Sequence, residues 1–321
     1  MFGWKYRPEQ LRYVDMWMFP NMHPTNVDLL QRLKSADDRQ FGTGMDVCGT
    51  VADHDLKTGK WNTTHLVGVR SDIWAPDEEE LQKTVNSLQR ERKEQLRKSI
   101  RSSGRMNATQ RELLTHKLQD DAIMQMQPGD VEKRRMVLKL FRSTGERLRW
   151  VGTIEELTAW EISNSLGSKR TLLSLAVILP DYDYVTIVQQ THRTFRIPSV
   201  FACCFHDTRN DRVWHIHLKR KWVSIGADYI IEADGQPVGK IDGNLIGLGY
   251  NAYLELTEPL LAENRQFIDL LSLFATSISY HRAMRKSISR RVKSVRGGTN
   301  WKHVIEDEEL RLMQNPRRRA A

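Results

Sequence analysis

The pattern of hydrophobic and polar positions separates a helical middle region from flanking regions of β character. Residues 41–75 are strand-like and interrupted by glycines, which is typical of short strands joined by turns. A helical spacing of three or four positions, with one gap at Arg92, then joins Leu81, Val85, Leu88 and Leu96. A second helix is predicted from Ala108 to Met126, with Asn107 as its N-cap. We therefore expect a charged helical hairpin in this part of the chain.

The strongest local β pattern lies between Arg212 and Leu256, where short strand-like runs follow one another closely. The pairs Asp234-Gly235 and Asp242-Gly243 stand between such runs. Asp-Gly favours a two-residue hairpin turn because both residues must adopt positive φ. Both pairs therefore predict hairpin turns, and the region as a whole predicts an antiparallel meander.

A different signal stands earlier, at Thr153-Ile154-Glu155-Glu156. A threonine followed three positions later by a glutamate has the spacing of a capping box, in which two side chains satisfy the first free amides of a helix. The motif predicts a helix that begins there and continues through Leu157 and Trp160.

The segment from Phe267 to Ile278 is apolar on nearly all sides of a predicted helix, and Pro259 suits the first turn of that helical region. It is too short for a bilayer, which needs about 20 apolar residues, so protein must surround it. We predict an α+β fold, in which an antiparallel β barrel-like domain surrounds an apolar C-terminal helix and carries an N-terminal helical extension.

Four segments follow from these patterns. They are residues 1–75, an N-terminal arm and small β/α region; 76–130, the charged helical hairpin; 131–296, the β domain with its central helix; and 297–321, a basic tail. The first 24 residues are rich in aromatic residues and methionine. Such an arm either packs on the main body or docks onto a partner, since these residue types are favoured at interfaces.

Charge and cysteine content indicate the type of partner and the cellular compartment. Lys and Arg number 49 against 40 Asp and Glu, a net charge of +9, which favours anionic partners. The three cysteines, Cys48, Cys203 and Cys204, are too few for a secreted disulfide scaffold. We expect an intracellular protein, either cytoplasmic or organellar, with the mitochondrion as one candidate organelle. We also expect no transmembrane segment and a capacity for peripheral membrane binding.

The basic end of the apolar helix is the candidate binding site. Its cations, with no acidic residue among them, are Arg282, Arg285, Lys286, Arg290, Arg291, Lys293 and Arg296. Such a cluster suits an anionic membrane surface or phospholipid. It equally suits a structural subunit of a large protein or ribonucleoprotein assembly, for example a mitochondrial complex, where basic segments contact phosphate.

Catalytic and metal chemistry have little support in the sequence. His215 and His217 share one face of a strand, and His206 and Cys204 are near them in sequence, but the spacing fits no standard zinc pattern. These histidines are therefore weak metal candidates only. The sequence has no nucleophile elbow, no ordered Ser-His-Asp set and no HExxH motif. We predict a non-enzymatic binding or scaffold protein without cofactor or metal.

One set of residues resembles a known family. Leu218 to Gly226, Asp234-Gly235, Val238 to Ile241 and a second run, Leu245 to Gly249, follow one another as a basic strand, a small turn, a strand, Asp-Gly and a further strand. This order is similar to the repeated unit of the tubby-like superfamily, especially its LURP-one-related and phospholipid-scramblase-like members. The resemblance implies a β barrel wrapped around an apolar C-terminal helix, with strands contributed also by residues 41–75 or 136–179. It implies no site residue.

Overall fold

The structure is a computed structural model that describes most of the chain. The described residues are 8–17, 45–70, 78–100, 107–119, 121, 124, 135–144, 147–191, 199–222, 226–244, 249–297 and 309. The chain forms two compact units, Trp74–Arg134 and a larger one made of Met1–Ile73 and Arg135–Ala321. Of the segments predicted above, most of the N-terminal aromatic arm and of the tail 297–321 lie outside the described residues.

The larger unit contains twelve strands and four helices among its described residues. In chain order the elements are β1 Gln10–Trp17, β2 Met45–His54, β3 Trp61–Arg70, β4 Val137–Thr144, β5 Arg147–Glu156, α3 Thr158–Leu166, β6 Ser174–Ile178, β7 Thr186–Gln190, β8 Val200–Asp207, β9 Arg212–Arg220, β10 Tyr229–Ala233, β11 Gln236–Asn244, β12 Gly249–Leu256, α4 Pro259–Ala262, α5 Arg265–Ile278 and α6 His281–Arg296. The smaller unit, between β3 and β4, contains α1 Glu78–Ile100 and α2 Ala108–Gln119.

The twelve strands form one closed antiparallel barrel. Each strand pairs with its neighbours in sequence, and β1 pairs with β12 to close the ring. Closure leaves no free edge strand, because every strand has a hydrogen-bonded neighbour on both sides. The barrel agrees with the prediction, and the strands expected from residues 41–75 and 136–179 are β2 to β6.

Strand β1 comes from the segment that the sequence analysis assigned to an arm. Arg12, Val14 and Met16 are buried and alternate with more exposed neighbours, which is the period of a strand with one face on a core. The strand pairs with both β12 and β2. The helical hairpin is consequently inserted between β3 and β4 rather than preceding the β domain, because the first three strands complete the ring.

The two Asp-Gly pairs behave differently. Asp234 and Gly235 have φ values of 49° and 80° and form the turn between β10 and β11, as predicted. The prediction was wrong for Asp242-Gly243, which continues β11 opposite Tyr253 and Ala252. A Cβ on Gly243 would lie 2.7 Å from the carbonyl oxygen of Ala227, so the position requires glycine for close packing and not for a turn.

The predicted capping box is also not a helix start. Thr153 to Glu156 form the end of β5, and α3 begins at Thr158. The N-cap residue, Leu157, makes no side-chain hydrogen bond to the helix. Glu309, from far along the chain, instead accepts a hydrogen bond from the amide nitrogen of Ala159 at 2.7 Å. A distant carboxylate thus performs the capping function that the local motif suggested.

Helix α5 holds the apolar segment. Pro259 occupies the first turn of α4, and α5 is capped separately by Asn264, whose side chain accepts a hydrogen bond from the amide of Phe267 at 3.2 Å. Every residue from Phe267 to Ile278 is buried. The helix packs on β1, β4, β5 and β12, and Phe274 makes edge-to-face ring contacts with Phe201 on β8 and Tyr229 on β10.

In the part of the smaller unit that the structure describes, α1 and α2 pack on each other. Val85 on α1 and Leu114 on α2 are buried, and Arg92 pairs with Asp121 at 2.8 Å. Asn107 caps α2 as predicted, since its side chain accepts a hydrogen bond from the amide of Gln110 at 2.8 Å. The helix ends at Gln119, several residues before the predicted end.

Candidate anion-binding surface on the C-terminal helix

The cationic surface lies on α6. It contains fewer residues than the sequence suggested, and they lie on one side of the helix. Its exposed cations, which we call the cationic face, are Arg282, Arg285, Lys286, Lys293 and Arg296. At about 100° per residue, these five positions fall within about 100° of the helix circumference. The helix contains no acidic residue. All five charges therefore project from one side of one rigid element.

The opposite side of α6 fixes the helix on the barrel unit. Met284, Ile288 and Val292 are buried. The helix also packs against α3. Ser289, which by helical angle lies among the cations, adds a further contact, a hydrogen bond of 2.6 Å between its hydroxyl oxygen and that of Thr171. Because the apolar side is used in packing, it is not free to enter a lipid bilayer. The orientation of the cationic face is set by this anchoring.

Arg291 does not belong to the binding surface, which corrects the sequence assignment. It projects from the side of α6 opposite the cationic face, and only 1% of its surface is exposed. It acts electrostatically on Glu156 and Glu161, two carboxyls buried beneath it. Its role is to compensate buried negative charge. Arg290 is half-buried at the edge of the cationic face.

The two glutamates near Arg291 form a coupled pair. Burial raises the pKa of Glu156 and raises that of Glu161 well above its usual value, while Arg291 counteracts the rise in both. Glu156 Oε2 accepts a hydrogen bond from the amide of Met136, and Glu161 Oε1 accepts one from the amide of Ser174, both at 2.9 Å. The negative charge of Glu156 also raises the pKa of Glu161.

The first turn of α6 meets the connection between β9 and β10. Arg220 and Arg285 both act electrostatically on His281, whose pKa burial lowers to about 4. His281 is therefore neutral near neutral pH, and the charge in this region comes from the arginines. On the same connection Trp222 exposes 74% of its surface. A solvated tryptophan thus lies two residues from Arg220, an arginine that neighbours the start of the cationic face.

The weak metal candidates lie on the outer side of β8 and β9 but do not converge. Cys204 Sγ is 3.6 Å from His215 Nδ1, and His206 Nε2 is 3.0 Å from Asp211 Oδ1. His217 lies opposite Glu232 and Ala202 in the neighbouring strands. Within the described ranges of the chain, no group of three or more potential ligands has the geometry to hold a metal ion.

Sequence reasoning missed a buried polar network around Asp269 at the other end of α5. Arg12 donates from Nη1 to Asp269 Oδ1 at 2.8 Å and from Nε to Asp53 Oδ1 at 2.6 Å. Arg142 donates from Nη2 to Asp269 Oδ2 at 3.3 Å. The sequence did contain a signal for this network. Asp269 is the one acidic residue of the predicted apolar helix, and a buried carboxylate requires a partner.

His65 completes this network as a neutral side chain. Burial, reinforced by Arg12 and Arg142, lowers the pKa of His65 to about 2. Its Nε2 accepts a hydrogen bond from Arg142 Nε at 3.2 Å, since a guanidinium can only donate. The ring proton is therefore on Nδ1, which faces the Thr64 hydroxyl at 2.8 Å. Burial also raises the pKa of Asp269, and the two guanidiniums counteract that rise.

Comparison with known proteins leaves the family open. No protein-family model, no curated protein and no solved structure matches the chain. Among the residues that the structure describes, no helix has both the length and the apolar character needed to cross a membrane.

Proposed function

We propose that the protein is a non-enzymatic binding protein that attaches to an anionic phospholipid surface through the cationic face of α6. The observation that carries the proposal is the alignment of five exposed cations on one side of a helix that has no acidic residue. A flat anionic surface can contact all five at once. At about 1 kcal/mol for each basic residue close to such a surface, the face supplies up to about 5 kcal/mol.

The anchoring of α6 supports attachment rather than insertion. Met284, Ile288 and Val292 are already buried in the protein, so the helix has no apolar stripe left for acyl chains. The attraction is then electrostatic and weakens as salt screens it. Trp222 adds a second element, because exposed tryptophan is favoured at membrane interfaces. Its neighbour Arg220 lies close to the start of α6.

The fold gives the proposal a further basis. The closed antiparallel barrel, together with the contacts of α5 to β1, β4, β5, β8, β10 and β12, supports a helix in the interior of the barrel. We infer on this ground and on the sequence resemblance a tubby-like fold, of the LURP-one-related or phospholipid-scramblase-like kind. The free thiols of Cys48, Cys203 and Cys204 support an intracellular setting.

The test uses two lysines of the cationic face and two matched lysines elsewhere. In the variant, Lys286→Gln is combined with Lys293→Gln. In the control, Lys57→Gln is combined with Lys60→Gln, on the exposed turn between β2 and β3. Both variants lose the same charge and the same residue type. Co-sedimentation is measured with vesicles of phosphatidylcholine alone and with added phosphatidylserine, over a series of salt concentrations.

The α6 variant should bind the phosphatidylserine vesicles about 30-fold more weakly than the wild type, which corresponds to two cations at about 1 kcal/mol each. The control should stay within about threefold, since it removes only long-range charge. Equal losses in both variants would show that net charge and not the cationic face is responsible. Binding of a polyanionic RNA that depends on α6, with no vesicle binding, would favour the ribonucleoprotein alternative instead.

A further inference from the structure

A second site lies at the end of α5 that is remote from α6. A cavity of about 320 Å³ opens between the first turn of α5 and the strands β1 to β4. Its polar lining includes Arg12, Arg142 and Arg265. Only 4% of Arg12 is exposed, so its guanidinium belongs to the built floor of the cavity rather than to the protein surface.

The hydrogen bonds of these arginines leave several of their N–H donors unused. Arg12 uses Nε on Asp53 and Nη1 on Asp269 and Ser272. Arg142 uses Nε on His65 and Nη2 on Asp269. Across the described ranges, Arg12 Nη2, Arg142 Nη1 and the whole Arg265 guanidinium have no hydrogen-bond partner. Three guanidiniums thus present unused N–H groups to one space.

The carboxylates of Asp53 and Asp269 already accept hydrogen bonds from the protein. Asp53 accepts from Arg12 and Gln10 through Oδ1 and from Thr64 through Oδ2. Both oxygens of Asp269 accept from guanidiniums. These two carboxylates balance two of the three positive charges. The N-terminal end of α5, a helix of 14 residues, also faces this space and adds partial positive charge.

We propose that this cavity binds the oxyanion of a small ligand, a phosphate or carboxylate group, held by Arg265 and by the free N–H groups of Arg12 and Arg142. Guanidiniums match both oxyanions because two parallel N–H groups meet two oxygens. The exposed Glu263 carboxylate at the rim is the remaining acidic group of the lining. It repels a second anionic group there, so the rest of the ligand is neutral or cationic. This proposal is independent of the function assigned to α6.

The experiment is calorimetric titration of the full chain with inorganic phosphate and, separately, with acetate, each against chloride at the same ionic strength. Arg265→Gln removes a rim donor from an exposed position, so the fold is retained. Arg170→Gln, at an exposed arginine outside the cavity lining, removes the same charge as the control. Glu263→Gln removes the repulsive group. Circular dichroism confirms that each variant is folded.

Arg265→Gln should weaken phosphate or acetate binding about tenfold, Glu263→Gln should strengthen it about threefold, and Arg170→Gln should change it less than twofold. Whichever oxyanion shows this pattern identifies the ligand class. Absence of saturable binding, or equal effects of Arg265→Gln and Arg170→Gln, would overturn the proposal. So would Arg265-dependent binding to phosphatidic acid vesicles without binding of free phosphate, because the source would then be a lipid headgroup. Lys286→Gln with Lys293→Gln should leave phosphate binding unchanged, which separates this site from the α6 surface.

Discussion

Arg12 Nη1 lies 2.8 Å from Asp269 Oδ1, and this buried ion pair joins β1, the first strand of the barrel, to the apolar helix α5 across 257 positions of sequence. Arg142 from β4 binds the other carboxylate oxygen. One aspartate thus connects the helix to two strands. The same contacts form the floor of the small cavity, so the stability of this end of the barrel and the shape of the site depend on Asp269.

Asp269→Asn should destabilise the protein by about 3 to 5 kcal/mol, because it leaves two guanidiniums with less compensation in a buried site. The amide keeps the size of the carboxyl, so packing changes little. The free energy of unfolding is measured by urea denaturation. Asp242→Asn, at an exposed position on β11, is the control and should stay within about 0.5 kcal/mol. Similar losses in the two variants would contradict a stabilising network.

Leu271→Ala should cost about 2 to 5 kcal/mol of unfolding free energy, since Leu271 is fully buried on α5 and the substitution leaves a cavity. Leu260→Ala, at a leucine that is 44% exposed on α4, provides a comparison with the same change of residue. It should cost much less. A loss below half a kcal/mol at Leu271 would be incompatible with a helix surrounded by the barrel.

Arg291→Gln should destabilise the fold by about 3 to 5 kcal/mol, because Glu156 and Glu161 would lose their buried compensating charge. Arg285→Gln on the cationic face should stay within about 0.5 kcal/mol. Chemical denaturation of the two single variants measures this contrast. The opposite ranking would return Arg291 to the binding surface. Any test of vesicle binding that includes Arg291 would confuse unfolding with lost affinity.

Glu309 should make the stability of the chain depend on pH near neutrality. Burial raises its pKa from 4.5 to about 7. A raised pKa in the folded chain means that the folded state favours the protonated form. The stabilising contribution is therefore fully present below pH 4.5 and is lost as pH rises through about 7.

Glu309→Gln should abolish that dependence, because the amide stays neutral and its oxygen can still accept from Ala159. The wild type should lose about 1 to 3 kcal/mol relative to this variant as pH rises across the window. Denaturation series at several pH values measure the difference. Glu112→Gln on the exposed side of α2 is the control and should follow the wild type. Parallel pH profiles for wild type and Glu309→Gln would exclude the contribution.

The sequence by itself determined the features that depend on neighbouring residues. Asp234-Gly235 specifies its turn because two adjacent residues must adopt positive φ, and only a few residue types do so without strain. The period of two in the strands and the all-round apolarity of Phe267–Ile278 indicate a barrel for the same reason, since they reflect local burial. The run of seven cations without an acidic residue identifies the basic segment that forms α6 from the sequence alone.

Only the tertiary structure decided which local sequence motifs form the structure that they predict. Thr153 and Glu156 have the spacing of a cap, yet pairing with β4 and β6 keeps them in a strand, and Glu309 caps α3 from 150 positions away. Asp242-Gly243 has the composition of a turn, yet close packing against Ala227 uses its glycine in a strand. Arg291 has the charge of its neighbours, yet the helical angle directs it to buried glutamates. In the first two cases contacts distant in sequence outweigh a local preference of about 1 kcal/mol, and in all three the contacting residues have no signature in a short window of sequence.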